Sequence, residues 1–381
     1  MMITCSKKKK LKLKNRIPQD LVREILERLP AKSVARFLLV SKSWANLITG
    51  RDFIRSFETR SCSSQPRFLV CFIGRTKPSK RQYCYFLSSS SSSTTFLSRV
   101  KCPREDPECF SGDPHYANGL IRLGYGEKKL ICNPSTGQSI TLPRVKSMKT
   151  VSKSLFGYDP VNEEYKILCM TKILRPNGIN PHSRYEYQVH TLGADEQSSW
   201  RTIECGIPHL FCCNAYVCID GVVYFVAKIA SADLFLMKFD LRYEKWDLVT
   251  GLSPDMSHLG DDFTLINYEG KVAVTTNTSG DTFNVWVIDQ AARERGWLKK
   301  NFSIESWKFL SKLRISGSTH TGEFVLAPRY YSHDFNVILY DPNTNGLRKI
   351  KVDVTGGNEF KHGRRTRAMV FWDYAESIRL L

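Results

Sequence analysis

The chain has 381 residues, of which 56 are Lys or Arg and 37 are Asp or Glu, giving a formal net charge of +19. Apolar residues make up 42% and charged residues 24%, the usage of a folded globular protein, which excludes global disorder. No uncharged apolar run reaches the roughly 20 residues of a membrane span, and the first residues lack a signal-peptide core, so we expect no membrane and a place in the nucleus and/or the cytoplasm.

Residues 1–16 form a basic tail with seven Lys or Arg residues and no acidic residue. Such a run is typical of a nuclear-import signal or of contact with an acidic surface, and equally of a solvated leader. Both interpretations stay open, and we predict a disordered segment. Nucleic-acid binding as the main role is disfavoured, because no later stretch interleaves aromatic and basic residues in the pattern of a known nucleic-acid module.

Residues 17–57 differ from everything that follows, because apolar residues recur there at helical spacing. Pro18 suits the first turn of a helix, where its missing N–H costs nothing. Pro30 ends this first helix. Ser33 is predicted to cap a second helix, whose apolar positions continue to Trp44. The apolar stripe of the first helix consists of Leu21, Val22, Ile25, Leu26 and Leu29.

Two short helices cannot close a hydrophobic core alone, because about forty residues is near the lower limit for an independent fold. Several apolar side chains of this segment should therefore stay exposed until a partner protein covers them. The alternative, which periodicity alone leaves equally open, is a helical cap that packs on the rest of the chain.

Residues 17–37, followed by residues 40–44, resemble an F-box of the plant type, with a Leu-Pro-Ala-Lys-Ser stretch at 29–33 and a Val-Ser-Lys-Ser-Trp end. The resemblance implies binding to a Skp-type adaptor, which joins the chain to a cullin. The sequence departs from the family pattern at Ile17, where Leu is usual, at Ser41, where Cys is usual, and at Leu38, where a basic residue is frequent. The adaptor-binding residues implied are Ile17, Pro18, Leu21, Ile25, Leu26, Leu29, Pro30, Ser33, Phe37, Val40, Ser41 and Trp44.

Residues 65–375 are rich in short β-branched and aromatic runs separated by turn sequences. Three segments repeat, each with a turn glycine and, nineteen residues later, an Asp that ends an apolar run. The glycines are Gly221, Gly270 and Gly322, and the aspartates are Asp240, Asp289 and Asp341. The period of 49 and then 52 residues predicts a kelch-like β-propeller, in which each repeat is a four-stranded antiparallel blade. A stacked β-sandwich is the structural alternative.

Earlier segments of the body fit the repeat more loosely, and together they predict six blades. The serine run at 88–93 is interpreted as a loose surface loop. The late apolar run at 368–372 has no blade of its own, and we expect it to pair into the first blade and close the ring, which removes exposed strand edges. The predicted fold is a small all-α F-box followed by an all-β propeller.

The combination of an F-box with Leu-Ile-Cys-Asn-Pro-Ser-Thr-Gly at 130–137 and Phe-Gly-Tyr-Asp-Pro at 156–160 resembles the plant F-box and associated-interaction-domain family. The resemblance covers nearly the whole chain. It implies the substrate receptor of an SCF-type ubiquitin ligase, in which the propeller captures an unknown target protein for ubiquitination.

The loops between second and third strands should share one rim of a propeller, and we expect this rim to dock the target. Arg and Tyr dominate the energetics of protein interfaces, so these types are the best anchors. The alternative is that such loops are polar without a binding role. The candidates are Arg175, His182 and Arg184 in the long loop of the third blade and Arg329, Tyr330 and Tyr331 in the sixth.

We expect no enzyme, cofactor or metal, because the sequence contains no phosphate-binding loop, no nucleophile elbow and no His-Glu-x-x-His helix. The sharpest metal candidate is Cys205, His209 and Cys212, for which ordinary loop or buried side chains are the favoured interpretation. The alternative function is a propeller that binds a glycan through Trp246 or Trp297, or acts as an enzyme, beside a degenerate F-box. The repeat positions of these tryptophans favour core packing instead.

Overall fold

In the computed structural model, helices come first in the chain and strands follow. The structure describes residues 17–64, 67–76, 81–103, 114–124, 128–145, 150–172, 185–193, 200–229, 233–256, 263–276, 282–289, 296–304, 313–354 and 366–379. The basic tail therefore lies outside the described residues, as does the loop that holds Arg175, His182 and Arg184.

The helices are α1 (Gln19–Glu27), α2 (Ala31–Phe37), α3 (Lys42–Thr49) and α4 (Arg51–Ser64). The first half of the strands comprises β1 (Phe68–Thr76), β2 (Arg81–Ser89), β3 (Thr94–Lys101), β4 (His115–Ala117), β5 (Leu120–Leu123), β6 (Leu130–Cys132), β7 (Ser139–Thr141), β8 (Thr150–Asp159), β9 (Glu164–Lys172), β10 (Glu186–Thr191), β11 (Arg201–Ile203) and β12 (Leu210–Ile219). The second half comprises β13 (Val222–Lys228), β14 (Leu234–Asp240), β15 (Lys245–Gly251), β16 (Phe263–Tyr268), β17 (Lys271–Thr276), β18 (Thr282–Asp289), β19 (Gly296–Ser303), β20 (Leu313–Ser318), β21 (Phe324–Pro328), β22 (Asn336–Asp341), β23 (Gly346–Lys351) and β24 (Arg367–Phe371).

The described strands form six four-stranded antiparallel sheets, which are the blades of a propeller. Blade 1 is β24-β1-β2-β3, and blades 2 to 6 each use four consecutive strands, from β4–β7 to β20–β23. The first strands of neighbouring blades contact one another and surround a central channel of about 970 Å³. The predicted propeller and its six blades are confirmed.

The repeated residues act as the spacing predicts. In blade 4, Asp220 and Gly221 both have positive φ, 48° and 82°, which is the geometry of a tight two-residue hairpin turn between first and second strands. Asp240 Oδ1 then accepts hydrogen bonds from the backbone N–H groups of Arg242, at 2.8 Å, and Tyr243, at 3.0 Å. This side-chain turn reverses the chain between third and fourth strands.

The ring is closed by β24, which pairs antiparallel with β1 from Leu69–Phe371 to Ile73–Arg367. A strand from the end of the chain thus supplies the innermost position of the first blade, as expected for the run at 368–372. Closure pairs the edge of β1 that would otherwise be open.

Antiparallel order divides the loops between two rims. The turn rim carries the connections between first and second strands and between third and fourth strands. The loop rim, on the other side, carries the connections between second and third strands and the links between blades. These two names are kept below.

Two local predictions are wrong. The second helix begins at Ala31 after Pro30 and ends at Phe37, so Ser33 lies inside α2 and does not cap it. The second helix therefore does not continue to Trp44, which belongs to α3. Ser41 caps α3, because its Oγ accepts a hydrogen bond from the Trp44 N–H at 3.2 Å. A serine whose side chain can bond the backbone favours the start of a new helix over continuation of the previous one. The spacing of apolar residues gives no sign of this.

The serine run is also misread as a loose loop. Ser88 and Ser89 end β2 and are buried, and Ser90 is buried as well. Only residues 91–93 are exposed at the turn, where the Ser90 backbone N–H donates to the Ser93 carbonyl oxygen at 2.9 Å. Small hydroxyl side chains fit a packed strand when their oxygens find partners, as Ser89 Oγ does with Thr94 Oγ1 at 2.9 Å.

Candidate functional site: the helical face and the channel mouth

The four helices build a small core around α1 and α4. Its buried side chains are Leu26, Ala31, Val34, Ile48, Phe53, Phe57 and, from the far end of the chain, Ile378. Leu26 is 1% exposed, so it holds the helices together and offers no surface to a partner, unlike its predicted role. The helices therefore use one apolar side for their own packing.

The other side of α1 stays open. Leu21 is 50% exposed and Ile25 is 51% exposed, and their spacing of four residues places them on the same helix face. Ile17, just before α1, and Val40, between α2 and α3, are each 59% exposed. Leu39, at 91% exposed, is an apolar residue of this surface that the sequence reasoning missed. We call these five residues the open helical face.

The remaining predicted adaptor residues border this face. Pro18, Pro30 and Ser41 are exposed, and Leu29, Ser33, Phe37 and Trp44 are partly buried. The rings of Phe37 and Trp44 pack against each other with centroids 5.0 Å apart.

Residues 374–379, here called the clasp, join the helices to the propeller. On the helical side, Ile378 is 2% exposed within the helical core, and Glu376 Oε2 accepts the Ala31 N–H at 2.8 Å at the start of α2. Glu58 of α4 accepts a hydrogen bond from Arg379 Nε at 3.0 Å. The helices thus depend on a segment more than 300 residues away.

On the propeller side, the clasp lies against the turn rim. Asn133 Nδ2 donates to the Ser377 carbonyl oxygen at 2.8 Å, from the turn between β6 and β7. The Arg379 guanidinium stacks over the Tyr158 ring at 5.4 Å and also donates to its hydroxyl at 3.2 Å. A direct ion pair, Arg55 with Glu163, joins α4 to the turn between β8 and β9. The helices are therefore seated on the turn rim.

The described part of the predicted target surface lies at the opposite, loop rim. Arg329 and Tyr330 follow β21 and are exposed, with Tyr330 at 48%. Tyr331 differs, because its ring packs edge-on against Phe72 at 5.3 Å and its backbone N–H donates to Thr366 O at 2.8 Å. Tyr331 therefore anchors the loop to blade 1 more than it offers a free surface.

Basic side chains gather where the channel opens at the loop rim. Lys153, Arg314 and Arg329 all line the channel. Strand register places Lys153 and Arg314 towards the loop-rim ends of β8 and β20, and Arg329 follows the loop-rim end of β21. Burial, with Arg122 and Lys153 nearby, lowers the pKa of His115 well below its ordinary value, so this imidazole is neutral. We call Lys153, Arg314 and Arg329 the channel mouth.

Sequence reasoning missed Lys153 and Arg314. Each is the single basic residue of its strand, and only the knowledge that first strands face the channel would have singled them out.

The cysteine–histidine candidate is part of an aromatic cluster in the structure. His209 is buried against Tyr187, Phe225 and Trp246, and burial lowers its pKa. Cys205 Sγ lies 3.9 Å from His209 Nδ1, and the side chain of Cys212 lies outside what the structure describes. Among the described residues, no group of three His, Cys, Asp or Glu side chains is arranged to hold a metal ion.

The tryptophans considered for glycan binding are packed. Trp246 lies against Phe239 at 4.6 Å in the blade 4 core, and Trp297 Nε1 donates to the Gly251 carbonyl oxygen at 2.8 Å. Core packing, the favoured interpretation, accounts for both. None of the helices in the described ranges is long and apolar enough to cross a membrane.

Comparison with known proteins assigns a family to the helical region and to the propeller. The family model of the F-box domain matches residues 15–56, and that of the F-box associated beta propeller domain matches residues 67–375. The chain is 50% identical over 378 residues to F-box protein At4g11590 of Arabidopsis thaliana, covering 96% of this chain and 93% of that protein. It is 35% identical to F-box protein At1g47810 (83% and 96% covered) and 34% identical to F-box protein DOR (96% and 94% covered), both from the same plant.

Proposed function

Because the chain belongs to the F-box proteins that carry an F-box associated β-propeller domain, we propose that it is the substrate-recognition subunit of an SCF-type ubiquitin ligase. In this role the F-box binds a Skp-type adaptor, the adaptor joins the chain to a cullin, and the propeller captures a target protein. The period of 49 and 52 residues supports a kelch-like origin for the blades.

The observation that carries the proposal is the open helical face. Its five apolar side chains are each half exposed or more, so neither the clasp nor the propeller covers them. An apolar patch of this kind is typical of a protein interface, and burying one Leu or Ile side chain contributes about 1.5–3 kcal/mol. A helical cap that served only to cover the propeller would have no use for it.

The protein would contribute position, not chemistry. Binding the adaptor on one side and the target on the other raises the local concentration of the target beside the conjugating enzyme. The two candidate surfaces lie on opposite rims of one ring, so both can be occupied together. We also propose that this happens in the nucleus and/or the cytoplasm, on the basis of the basic run at residues 7–16.

The test is co-purification with a Skp-type adaptor. Replacing Leu21 and Ile25 with Ala should weaken binding by more than about thirty-fold, because the loss of one central contact worth about 2 kcal/mol already gives that factor. The matched control replaces Leu248 and Leu298, which are also exposed but lie on outer strands of the propeller, with Ala.

Loss of adaptor binding in the helical variant, with normal binding in the control, supports the proposal. If the unaltered chain does not bind the adaptor, or if both variants bind it equally well, the proposed receptor role is wrong.

A further inference from the structure

The channel has opposite charges at its two ends. The basic residues that line it, Lys153, Arg314 and Arg329, belong to the loop-rim end. The acidic residues that line it, Asp220 and Asp373, belong to the turn-rim end, since the first follows β12 and the second follows β24. A molecule approaching from the loop rim therefore meets positive charge first.

The cations of this end are held in place by their surroundings. Lys153 is only 7% exposed, and its Nζ lies 5.7 Å from the centre of the Phe211 ring. Beside it, Arg122 donates to Ser154 Oγ at 3.1 Å and to the Gly124 carbonyl oxygen at 2.7 Å. A buried ammonium group at a channel wall is strongly desolvated, so an anion that enters gains more from it than from a surface lysine.

We propose that the channel mouth binds an acidic, extended segment of the target protein. The proposal rests on the proposed receptor function and narrows the class of its substrate. Arg314 and Arg329 present guanidinium groups that can pair with carboxylates through two parallel hydrogen bonds. Tyr330, which is 48% exposed beside Arg329, adds an aromatic contact for the flanking residues.

A protein segment fits this site better than a nucleic acid. The three cations are grouped at one end of a channel whose lining also includes aromatic side chains such as Phe263 and Phe371, which can pack against the apolar parts of a peptide. Nucleic-acid surfaces instead spread Lys and Arg along an open face or groove.

In the experiment, the full chain bound to its adaptor is used to select binding peptides from a random-sequence library displayed on phage. Peptides enriched on the unaltered chain should carry a clear excess of Asp and Glu over the starting library. The enriched peptides are then measured for affinity against two variants. The mouth variant carries Lys153→Met, Arg314→Gln and Arg329→Gln, and the control variant carries Lys245→Gln and Lys271→Gln, which remove exposed cations at the turn rim.

Affinity for the mouth variant should fall about tenfold or more, because a hydrogen bond to a charged group contributes at least that factor. The control should bind as the unaltered chain does. Thermal unfolding checks that the mouth variant folds. If it does not fold, Arg329→Gln alone tests the site, because this substitution is at an exposed position. A phosphoserine version of the best peptide distinguishes phosphate from carboxylate as the source of charge.

Enriched peptides without an acidic excess would overturn the proposal, as would equal affinity for the unaltered chain and the mouth variant. Preferential displacement of the peptide by a single-stranded oligonucleotide would replace it with a nucleic-acid site. Adaptor binding is measured on the same samples, so failure of the receptor function is seen separately from failure of the channel mouth.

Discussion

The helices and the propeller bury their hydrophobic residues in different ways. Each blade buries its apolar residues against its neighbours, as Phe225 and Phe239 do in blade 4, both 0% exposed. The helices leave Leu21 and Ile25 about half exposed, although they import Ile378 to complete their own core. The propeller also exposes single apolar side chains, such as Leu248 in blade 4 and Leu298 in blade 5, but in the helical region five of them fall within residues 17–40, which indicates a surface for another protein.

The largest expected effect comes from truncating Ile378, the clasp side chain that packs in the helical core. Ile378→Ala should lower the free energy of unfolding of the helical region by about 2–5 kcal/mol, because a buried Ile leaves a cavity when truncated. Hydrogen exchange should show lost protection in α1–α4 while the blades remain protected.

Ile378→Val is the matched control and should cost about 0.5–1.5 kcal/mol, since it removes one methylene. Equal loss of protection in helices and blades would show that the two regions unfold as one unit, and the comparison between them would then fail.

A second change tests the seat of the clasp on the turn rim. Gly119 has a φ of 87°, and a Cβ added there would lie 2.5 Å from Ser377 Cβ. Gly270 has a similar φ of 78° but no atom within 4 Å of an added Cβ. Both Ala variants carry a backbone cost of about 1 kcal/mol, and Gly119→Ala should lose about 1–3 kcal/mol more by overpacking.

The difference between the two variants, measured by urea unfolding, isolates the contact between clasp and blade 2. Equal destabilisation would mean that the clasp moves away from Gly119 at no cost.

The smallest effect concerns a contact between blades. Burial raises the pKa of Glu244, but hydrogen bonds from Arg201 and Lys166 outweigh it, so the pKa lies below its usual value. A carboxyl with a lowered folded-state pKa stabilises the protein above its unfolded-state pKa and loses this contribution as pH falls through the folded-state value. The contact therefore weakens in acid.

Glu244→Gln should lower stability by about 1 kcal/mol at neutral pH and make little difference well below the ordinary value of 4.5. Denaturant unfolding at both pH values measures this. Glu323→Gln, which removes an exposed pair with Arg348 inside one blade, is the control and should change stability less. A Glu244 effect that is the same at both pH values would contradict the ionic explanation.

Much of the propeller could be predicted from the sequence, because its blades are local units. The turn at Gly221 and the strand end at Asp240 belong to one blade and recur at a fixed distance, so they can be recognised without knowing what surrounds them. Closure by residues 368–372 could be expected because an unmatched strand needs a partner.

The clasp could not be predicted, because its contacts have no periodic pattern. Glu376 meets Ala31 across 345 residues, and nothing in either neighbourhood indicates the other. Leu26 was placed on the adaptor surface for a related reason. Helical spacing identifies an apolar stripe, but which edge of the stripe faces inward depends on where Ile378 packs.

Because of ring closure and the clasp, the fold can be completed only late in synthesis of the chain. The ribosome releases the F-box segment first, whereas β24 and the clasp are made after every other described strand. Until Arg367 and the residues after it emerge, the first blade lacks its innermost strand, and the helices lack both Ile378 and their seat on the turn rim. A nascent or prematurely ended chain therefore has an open ring and an incomplete helical core. Only a chain translated through the clasp has both the closed ring and the helices held on the turn rim.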